Sequence, residues 1–318
     1  MVVDAHTDVL LEVVVDEGLV LRPGLFERYW LPRLVAGGVG VQICPLYGEG
    51  ARRLDACART LAQEAEFRRV LRDNPEQVCQ VRSRADLDDP RLRLVLSMEG
   101  VEPLEGDPKA FDEWYERGVV TASLTWNDPN EFAGGIHTPT QGLTDQGRAL
   151  VRRFRELGVV LDLAHASEQT WRDVLDEDVS FSVTHAGCRA VCHHPRNLAD
   201  WQLEQLAERG GVLGMMAIPF AVDPAAPTLA RWLDHFGHAV AVMGIDHVGL
   251  GADFVDQVEP AKARFALDGF GGPQDFPSLV SALRERGFDG ERLEAIMSGN
   301  WFRILRTALP DSLPHGPT

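Results

Sequence analysis

The feature that most constrains the fold is a series of short apolar runs, each separated from the next by a segment long enough for a helix. Eight runs read as β-strands: Val2–His6, Val39–Leu46, Arg93–Glu99, Val119–Trp126, Val159–His165, Ser180–His185, Val212–Pro219 and Val248–Asp253. Most are nearly continuous in apolar residues, which is typical of parallel strands covered by helices. The repeated alternation predicts an α/β fold. Eight units favour a closed TIM (β/α)8 barrel. An open sheet is the alternative, because the number of strands alone does not exclude it.

Helical patterns fill the gaps between these runs. They are Arg53–Arg72, Thr144–Leu157, Glu168–Leu175, Ala199–Arg209 and Leu229–Met243. Beyond the last strand, Phe276–Arg286, Gly290–Met297 and Trp301–Leu305 are predicted to be helices that close the barrel. A chain of 318 residues suits one barrel, so we expect a single domain over 1–318. The Pro- and Gly-containing tail 310–318 is expected to be frayed.

Composition excludes several classes of partner. The net charge is -17, from 31 Lys+Arg and 48 Asp+Glu, and such an acidic surface repels nucleic acid. No run approaches the roughly 18 apolar residues that a membrane span requires. The start of the chain shows no signal-peptide pattern. The 5 cysteines lack CxxC spacing and read as thiols in a reducing compartment, so we expect a cytoplasmic protein.

Side chains able to bind or polarise a metal follow the predicted strands. They are His6, Asp8, Glu99, His165, His185 and Asp253. In a barrel all strand ends open onto one face, so residues distant in sequence converge there. His6 and Asp8 are two apart, and in an extended strand they point the same way, so both can reach one ion. The convergence is typical of a two-metal hydrolase, hence of a metallo-dependent hydrolase barrel, although each residue alone could be an ordinary loop or capping residue.

Glu99 is the candidate for bridging two ions. A bidentate carboxylate can join ions about 3.5–4 Å apart. Related hydrolases use a carbamylated lysine instead, but the two lysines of this chain, Lys109 and Lys262, do not end a predicted strand. The absence of a suitably placed lysine therefore favours Glu99 as the bridge.

The remaining site candidates follow later strands. His165 and His185 end successive strands, and neutral imidazole suits zinc and similar ions. Asp253 ends the last strand, where an aspartate is placed to take a proton from a water on the metal. Arg196 follows the His185 strand and suits bidentate capture of a substrate carboxylate, with an exposed surface arginine as the alternative.

Together these motifs resemble those of the membrane dipeptidase (renal dipeptidase) family of zinc peptidases. The similar stretches are Asp4–Asp8, Ser97–Gly100, Asp162–Ser167, Thr184–Cys192, His194–Asn197, Gly244–Phe254 and Gly299–Arg303, in the family's order along nearly the whole chain. The resemblance implies an amidohydrolase-like barrel with two Zn²⁺ per chain, other divalent ions being alternatives. It implies His6 and Asp8 on one ion, His165 and His185 on the other, and Glu99 bridging.

The resemblance also implies the reaction. Asp253 would be the general acid/base, acting with Glu99 as the catalytic pair, and Arg196 would hold the C-terminal carboxylate of a small dipeptide. Family members often accept a D-residue at that C-terminal position, and a homodimer is a family expectation. Because no anchor or leader pattern is visible, the word "membrane" is not carried over as an expectation.

Two departures from the family pattern affect the substrate side. The family frequently has a histidine after Leu-Thr on the fourth strand, whereas here Trp126 and Asn127 follow Thr125, so oxyanion stabilisation would pass to the metals, to Asn127 or to another group. The family's Asp-Phe-Asp-Gly reads Asp253-Phe254-Val255-Asp256 here, and the seventh strand is apolar.

The sequence therefore leaves three functions open. The expected one is a zinc-dependent dipeptidase in which Trp126 and Asn127 contact the substrate. A second keeps the metals but acts on N-acyl amino acids or lactams. A third is a barrel that has lost catalysis and only binds a ligand, which the complete ligand set disfavours.

Overall fold

The computed structural model describes residues 1–10, 14–15, 18–19, 24–48, 56–255 and 266–311. Its strands are β1 (Val2–Asp4), β2 (Val14–Val15), β3 (Gly18–Leu19), β4 (Val39–Tyr47), β5 (Val78–Gln80), β6 (Leu92–Glu99), β7 (Val119–Ser123), β8 (Val160–Asp162), β9 (Phe181–Ala186), β10 (Leu213–Met215) and β11 (Val248–Leu250). The main sheet runs β4-β1-β11-β10-β9-β8-β7-β6-β5 and closes through pairing of β4 with β6. The pairings around the ring are parallel, so the predicted eight-stranded TIM barrel is confirmed.

Two small strand features were not predicted from the sequence. β2 and β3 form an antiparallel pair outside the barrel. β5 lies beside the start of β6, with Val78 opposite Leu92, before β7 takes over the same edge. Both are two or three residues long, too short to leave a recognisable pattern.

Helices lie between the strands and after the last one. They are α1 (Leu31–Ala36), α2 (Ala56–Asp73), α3 (Phe111–Glu116), α4 (Asp145–Leu157), α5 (Glu168–Leu175), α6 (Asp200–Glu208), α7 (Pro219–Val222), α8 (Leu229–Met243), α9 (Phe276–Glu285), α10 (Gly290–Glu294) and α11 (Asn300–Ala308). α4 shows why the predicted bounds agree well. The Thr144 hydroxyl accepts a hydrogen bond from the Gly147 N–H at its start, and Gly158 ends it at φ 75°.

Several strands end earlier than their apolar runs predict. The run Val159–His165 contributes only Val160–Asp162 to the sheet, and Val212–Pro219 only Leu213–Met215. Past those points the chain leaves the ladder and turns over the barrel mouth. The candidate residues that follow these strands therefore sit in short loops that begin at the barrel rim.

Glycine lets three strands approach each other inside the barrel. A Cβ on Gly214 would lie 1.8 Å from the Thr184 carbonyl oxygen, and one on Gly251 would lie 1.7 Å from the same atom. No side chain fits at either place. The close approach draws β9, β10 and β11 together directly beneath the candidate site.

The three closing helices follow as predicted, with a π-helical turn over Ala295–Gly299 between α10 and α11. After α11 the Pro310 carbonyl accepts a hydrogen bond from the Arg84 N–H, and Asp311 pairs with the Arg84 guanidinium at 2.7 Å. Residues 312–318 of the predicted frayed tail lie outside the described residues, as do Lys262 and Asp256. No described helix combines the length and the apolar character needed to cross a membrane.

Candidate metal centre

The barrel brings the predicted metal ligands together at the carboxyl ends of its strands. Their side-chain donor atoms form three overlapping groups, in each of which the atoms lie within 4.8 Å of one another. The groups are His6, Asp8 and Glu99; Glu99, His165 and His185; and His6, His185 and Asp253. Because Glu99 belongs to the first two groups, it occupies the position that a bridging ligand requires.

Glu99 is at the centre of the cluster. Its Oε1 lies 3.0 Å from His165 Nε2, 3.4 Å from His185 Nε2 and 3.6 Å from His6 Nε2. The two imidazole nitrogens of His165 and His185 are themselves 2.9 Å apart. Three imidazoles, from the end of β9 and from the loops after β1 and β8, therefore have their Nε2 atoms within 3.6 Å of one carboxylate oxygen.

His6 supplies the clearest sign that the site is built for a cation. Its Nε2 is buried and makes no hydrogen bond to any described residue. Its ring stacks on that of His185, with centroids 3.7 Å apart. A buried polar atom without a hydrogen bond is costly, and a metal ion on Nε2 would relieve that cost.

The electrostatics of the histidines differ from one another. Burial opposes a charged His6, but Glu99, Asp253 and Asp8 outweigh burial and raise the pKa of His6 to about 10. Burial, helped by the charge of Arg196, lowers the pKa of His165 to about 3, and burial with His6 also lowers that of His185 well below its usual value. His165 and His185 are therefore neutral at pH 7, as metal ligation requires, whereas His6 carries a proton that a metal ion on Nε2 would displace.

The pKa values of the two buried carboxyl groups, Asp8 and Glu99, are shifted in opposite directions. Burial and the neighbouring Glu99 charge raise the pKa of Asp8 well above its usual value. Burial opposes ionisation of Glu99 too, but His6 and His165 outweigh it and lower the pKa of Glu99. Among the described residues, the buried carboxyl groups of Asp8 and Glu99, the partly exposed one of Asp253 and three imidazoles form a donor set of the kind that divalent cations bind. The residues present thus fit a metal centre.

Asp253 follows β11 in a left-handed backbone conformation, with φ at 59°. His165 shares that conformation, at φ 64°, and both are unusual for residues other than glycine. The Asp253 N–H donates to the His6 carbonyl at 2.8 Å, which fixes the turn. Burial, reinforced by Glu99 and opposed by His6, raises the pKa of Asp253 to about 7. An aspartate with that pKa can both take and return a proton near neutral pH.

Arg196 reaches the same cluster from the loop after β9. It is 7% exposed, and its guanidinium makes one hydrogen bond to a described residue, from Nη2 to the His185 carbonyl at 3.1 Å. No carboxylate of the described chain pairs with it within 4.0 Å. A buried cation with so few partners is positioned for an anionic ligand.

The loop that carries Arg196 is itself fixed from below. Asn197 donates from Nδ2 to the Cys192 and Ala221 carbonyls, at 2.9 and 2.8 Å. His235 on α8 accepts at Nδ1 from the Cys188 N–H and donates from Nε2 to the Val222 carbonyl. These buried contacts fix the position of the loop that carries Arg196.

Trp126 and Asn127 occupy different positions relative to the ligand cluster. The Asn127 Oδ1 accepts a hydrogen bond from His165 Nδ1 at 2.8 Å, so this oxygen orients a candidate ligand. The half-buried Trp126 ring lies 5.7 Å from that of His165 and 5.4 Å from that of Tyr47, at the barrel mouth. The expected substrate contact therefore fits the position of Trp126 better than that of the Asn127 oxygen.

A cavity of about 250 Å³ opens beside the ligand cluster. It reaches from His165 and Arg196 to the apolar side chains of Ile136 and Leu163 and the polar ones of Arg189 and Gln202. A space of this size, adjoining both a candidate ligand and the buried cation, would accommodate part of a small molecule.

Fold and site together define a class, the metal-dependent hydrolases built on a (β/α)8 barrel. A match to the family model "Membrane dipeptidase (Peptidase family M19)" extends over residues 1–311. The chain belongs to the membrane dipeptidase family and is a metallo-dipeptidase.

Individual relatives agree with this assignment. Dipeptidase aclJ of Aspergillus oryzae is 28% identical over an alignment that covers 91% of this chain and 74% of the relative. The crystal structure of the metallo peptidase dipeptidase AC has a TM-score of 0.84 at 24% identity, covering 98% of this chain and 99% of that one. A metallo peptidase from Rhodobacter sphaeroides, liganded with a phosphinate mimic of the dipeptide L-Ala-D-Ala, has a TM-score of 0.83 at 23% identity, with 96% and 99% covered. At such identities the solved structures establish the fold.

Proposed function

We propose that the protein is a binuclear, zinc-dependent hydrolase of small dipeptides that have a free C-terminal carboxylate. The observation that carries this proposal is the buried Arg196 guanidinium beside the ligand cluster, where its Nη2 donates to the His185 carbonyl at 3.1 Å. Dipeptide hydrolysis needs both parts of this arrangement, a centre that activates water and a cation that holds the end of the substrate.

The ligand groups suggest how two ions would be held. His6 and Asp8 would bind one ion, His165 and His185 the other, and Glu99 would bridge them. Bound zinc would act as a Lewis acid on the scissile carbonyl and would make water acidic enough to react near neutral pH. Other divalent ions remain alternatives for the same oxygen and nitrogen donors.

Arg196 would fix the orientation of the substrate. A bidentate contact with the C-terminal carboxylate sets the direction of the chain and places the peptide bond over the ligand cluster. A carboxylate is also the anion that this buried cation lacks. The phosphinate mimic of L-Ala-D-Ala on the Rhodobacter sphaeroides peptidase supports a dipeptide here, including one with a D-residue at the C-terminal position.

Asp253 would move the proton. It is held at the cluster by the His6 carbonyl, and its Oδ1 lies 3.9 Å from His6 Nε2. From this place the carboxylate would accept a proton from the attacking water and deliver it to the leaving amine. General acid–base transfer of this kind contributes about 10²- to 10⁴-fold to the rate.

The apolar residues at the barrel mouth favour a second substrate class, the N-acyl amino acids and lactams. The Trp126 indole occupies the place where the family frequently has a histidine, and the buried segment Met215–Pro219 is apolar. An N-acyl amino acid or a lactam keeps the carboxylate for Arg196 but replaces the charged amino end with an apolar group. Such substrates would use the same metals and the same Asp253.

A substrate panel on the zinc-loaded enzyme tests the proposal. The panel contains L-Ala-D-Ala, L-Ala-L-Ala, the amide of L-Ala-D-Ala, and N-acetyl-D-alanine, each with and without a chelator. We expect chelator-sensitive cleavage of the free dipeptides and at least a 10-fold lower kcat/KM for the amide. Cleavage of N-acetyl-D-alanine in preference to the dipeptides would move the function to the second class. Equal turnover of amide and free dipeptide would contradict the role of Arg196.

A further inference from the structure

Two polar side chains, Thr184 and Asp162, follow His185 in a chain of contacts on the side away from the ligand cluster. Its Nδ1 lies 2.9 Å from the Thr184 hydroxyl, and that hydroxyl donates a short hydrogen bond to Asp162 Oδ2. Asp162 is at the end of β8 and Thr184 is on β9, so the chain of contacts crosses two strands. All three side chains are at most 5% exposed.

The Asp162 carboxylate is placed to accept the hydrogen bond of the Thr184 hydroxyl. Its Oδ1 receives the backbone N–H groups of Ala164 at 2.9 Å and Thr184 at 3.0 Å. A carboxylate that accepts two backbone hydrogen bonds on one oxygen draws the single hydroxyl proton of Thr184 to the other. The Thr184 oxygen can then only accept from His185.

That polarity fixes which nitrogen of His185 carries the proton. A neutral imidazole has one N–H, and the Thr184 oxygen requires that it be on Nδ1. Nε2 then presents its lone pair towards Glu99 Oε1, 3.4 Å away. Asn127 gives His165 the same tautomer through a single amide oxygen, whereas His185 depends on a hydroxyl and a carboxylate acting in series.

We propose that Thr184 and Asp162 are positioning residues that hold His185 as its Nδ1–H tautomer, so that Nε2 is ready to ligate a metal ion before the ion arrives. The inference rests on the proposed metal centre. Outer hydrogen-bond partners of ligating histidines commonly affect metal affinity by about 10- to 100-fold.

Replacing Thr184 with valine removes the hydroxyl while keeping the shape of the side chain. We expect Thr184→Val to weaken binding of the zinc ion that His185 would hold by about 10- to 100-fold in a chelator competition on the full-length protein. Thr184→Ser, which retains the hydroxyl, should restore wild-type affinity. Thr121→Val is the matched control, because Thr121 is a buried strand threonine whose hydroxyl donates only to the Val160 carbonyl.

A second readout requires no variant to fold. In ¹⁵N NMR spectra of the chelated full-length wild type, His185 should show a protonated Nδ1 and an unprotonated Nε2. A His185 protonated on Nε2, or a Thr184→Val protein with wild-type zinc affinity, would overturn the inference and leave the proposed function standing. If the wild type itself bound no zinc, the proposed function would fail instead, so the two failures are distinguishable.

Discussion

Asp253 and His6 are joined at two levels, although one follows the last strand of the barrel and the other the first. The Asp253 N–H donates to the His6 carbonyl at 2.8 Å, and Asp253 Oδ1 lies 3.9 Å from His6 Nε2. Asp4 adds to this junction by accepting the Ala252 N–H at 2.8 Å. Closure of the barrel therefore holds the proposed proton carrier against a proposed ligand, which makes the distance between them a property of the fold.

The first prediction concerns Asp253→Asn. An amide keeps the size of the side chain but cannot take a proton from water, so kcat should fall by about 10²- to 10⁴-fold. The metal content should stay at the wild-type value, because the two proposed ligand pairs and Glu99 are unchanged. Elemental analysis beside steady-state kinetics measures both, and an active variant with full metal content would refute the role.

The second prediction concerns Arg196→Lys. Lysine retains a positive charge but loses the planar fork, so one charge-assisted hydrogen bond to the substrate carboxylate is lost. Such a bond is worth about 1.5–3 kcal/mol, which lowers kcat/KM by about 10- to 100-fold. The loss should be much smaller for the amide of the same dipeptide. If both substrates lost activity equally, Arg196 would have another task.

The third prediction concerns the close approach of strands under the site. Gly251→Ala would place a methyl group against the Thr184 carbonyl, where a Cβ would lie at 1.7 Å, and backbone atoms cannot move aside as a flexible side chain can. We expect a loss of about 3 kcal/mol or more in the free energy of unfolding.

A matched control for that substitution lies on α8. Gly237 is helical and has no atom within 4 Å of an added Cβ. Gly237→Ala should therefore stabilise the protein by about 0.5–1 kcal/mol through helix propensity. Denaturant unfolding of both variants compares them directly, and equal effects would show that the crowding at Gly251 is relieved in solution.

The fourth prediction concerns pH and His235. Burial, opposed by the hydrogen bond to the Val222 carbonyl and reinforced by Arg231, lowers the pKa of His235 below the usual 6.5. In the folded protein its Nδ1 is unprotonated and accepts the Cys188 N–H. The stabilisation that neutral His235 gives the folded protein is fully present above the pKa of His235 in the unfolded chain. It is lost as the pH falls from that value towards the pKa of His235 in the folded protein. Below pH 6.5 the wild type should lose up to about 1.4 kcal/mol per pH unit relative to His235→Gln, which does not titrate. Parallel pH dependences of unfolding for the two proteins would contradict this role.

Much of this architecture can be predicted from the sequence because the strands are buried on both faces. Continuous apolar runs gave all eight barrel strands, and a barrel brings their ends together whatever the loop details. The ligand candidates could be named for the same reason, since a histidine or carboxylate ending an apolar run is conspicuous. Capping residues such as Thr144 likewise placed the helix starts.

The supporting residues could not be predicted in the same way. Thr184 and Asp162 lie in the middle of apolar motifs, and only the pairing of β8 with β9 shows that they contact each other. Asn127 was expected to contact the substrate, but its bond to His165 depends on the left-handed turn at residue 165, which a sequence pattern does not reveal. Strand ends were also overestimated, because apolar residues continue past the last ladder hydrogen bond.

The most direct test of the central claim is the zinc content of the purified protein measured together with hydrolysis of L-Ala-D-Ala. The two proposed ligand pairs, His6 with Asp8 and His165 with His185, together with Glu99 between them, predict about two ions per chain. Chelation should abolish cleavage, and returning zinc should restore it. A protein that cleaves the dipeptide at full rate without bound metal, or one that cannot be loaded with any divalent ion, would contradict the account.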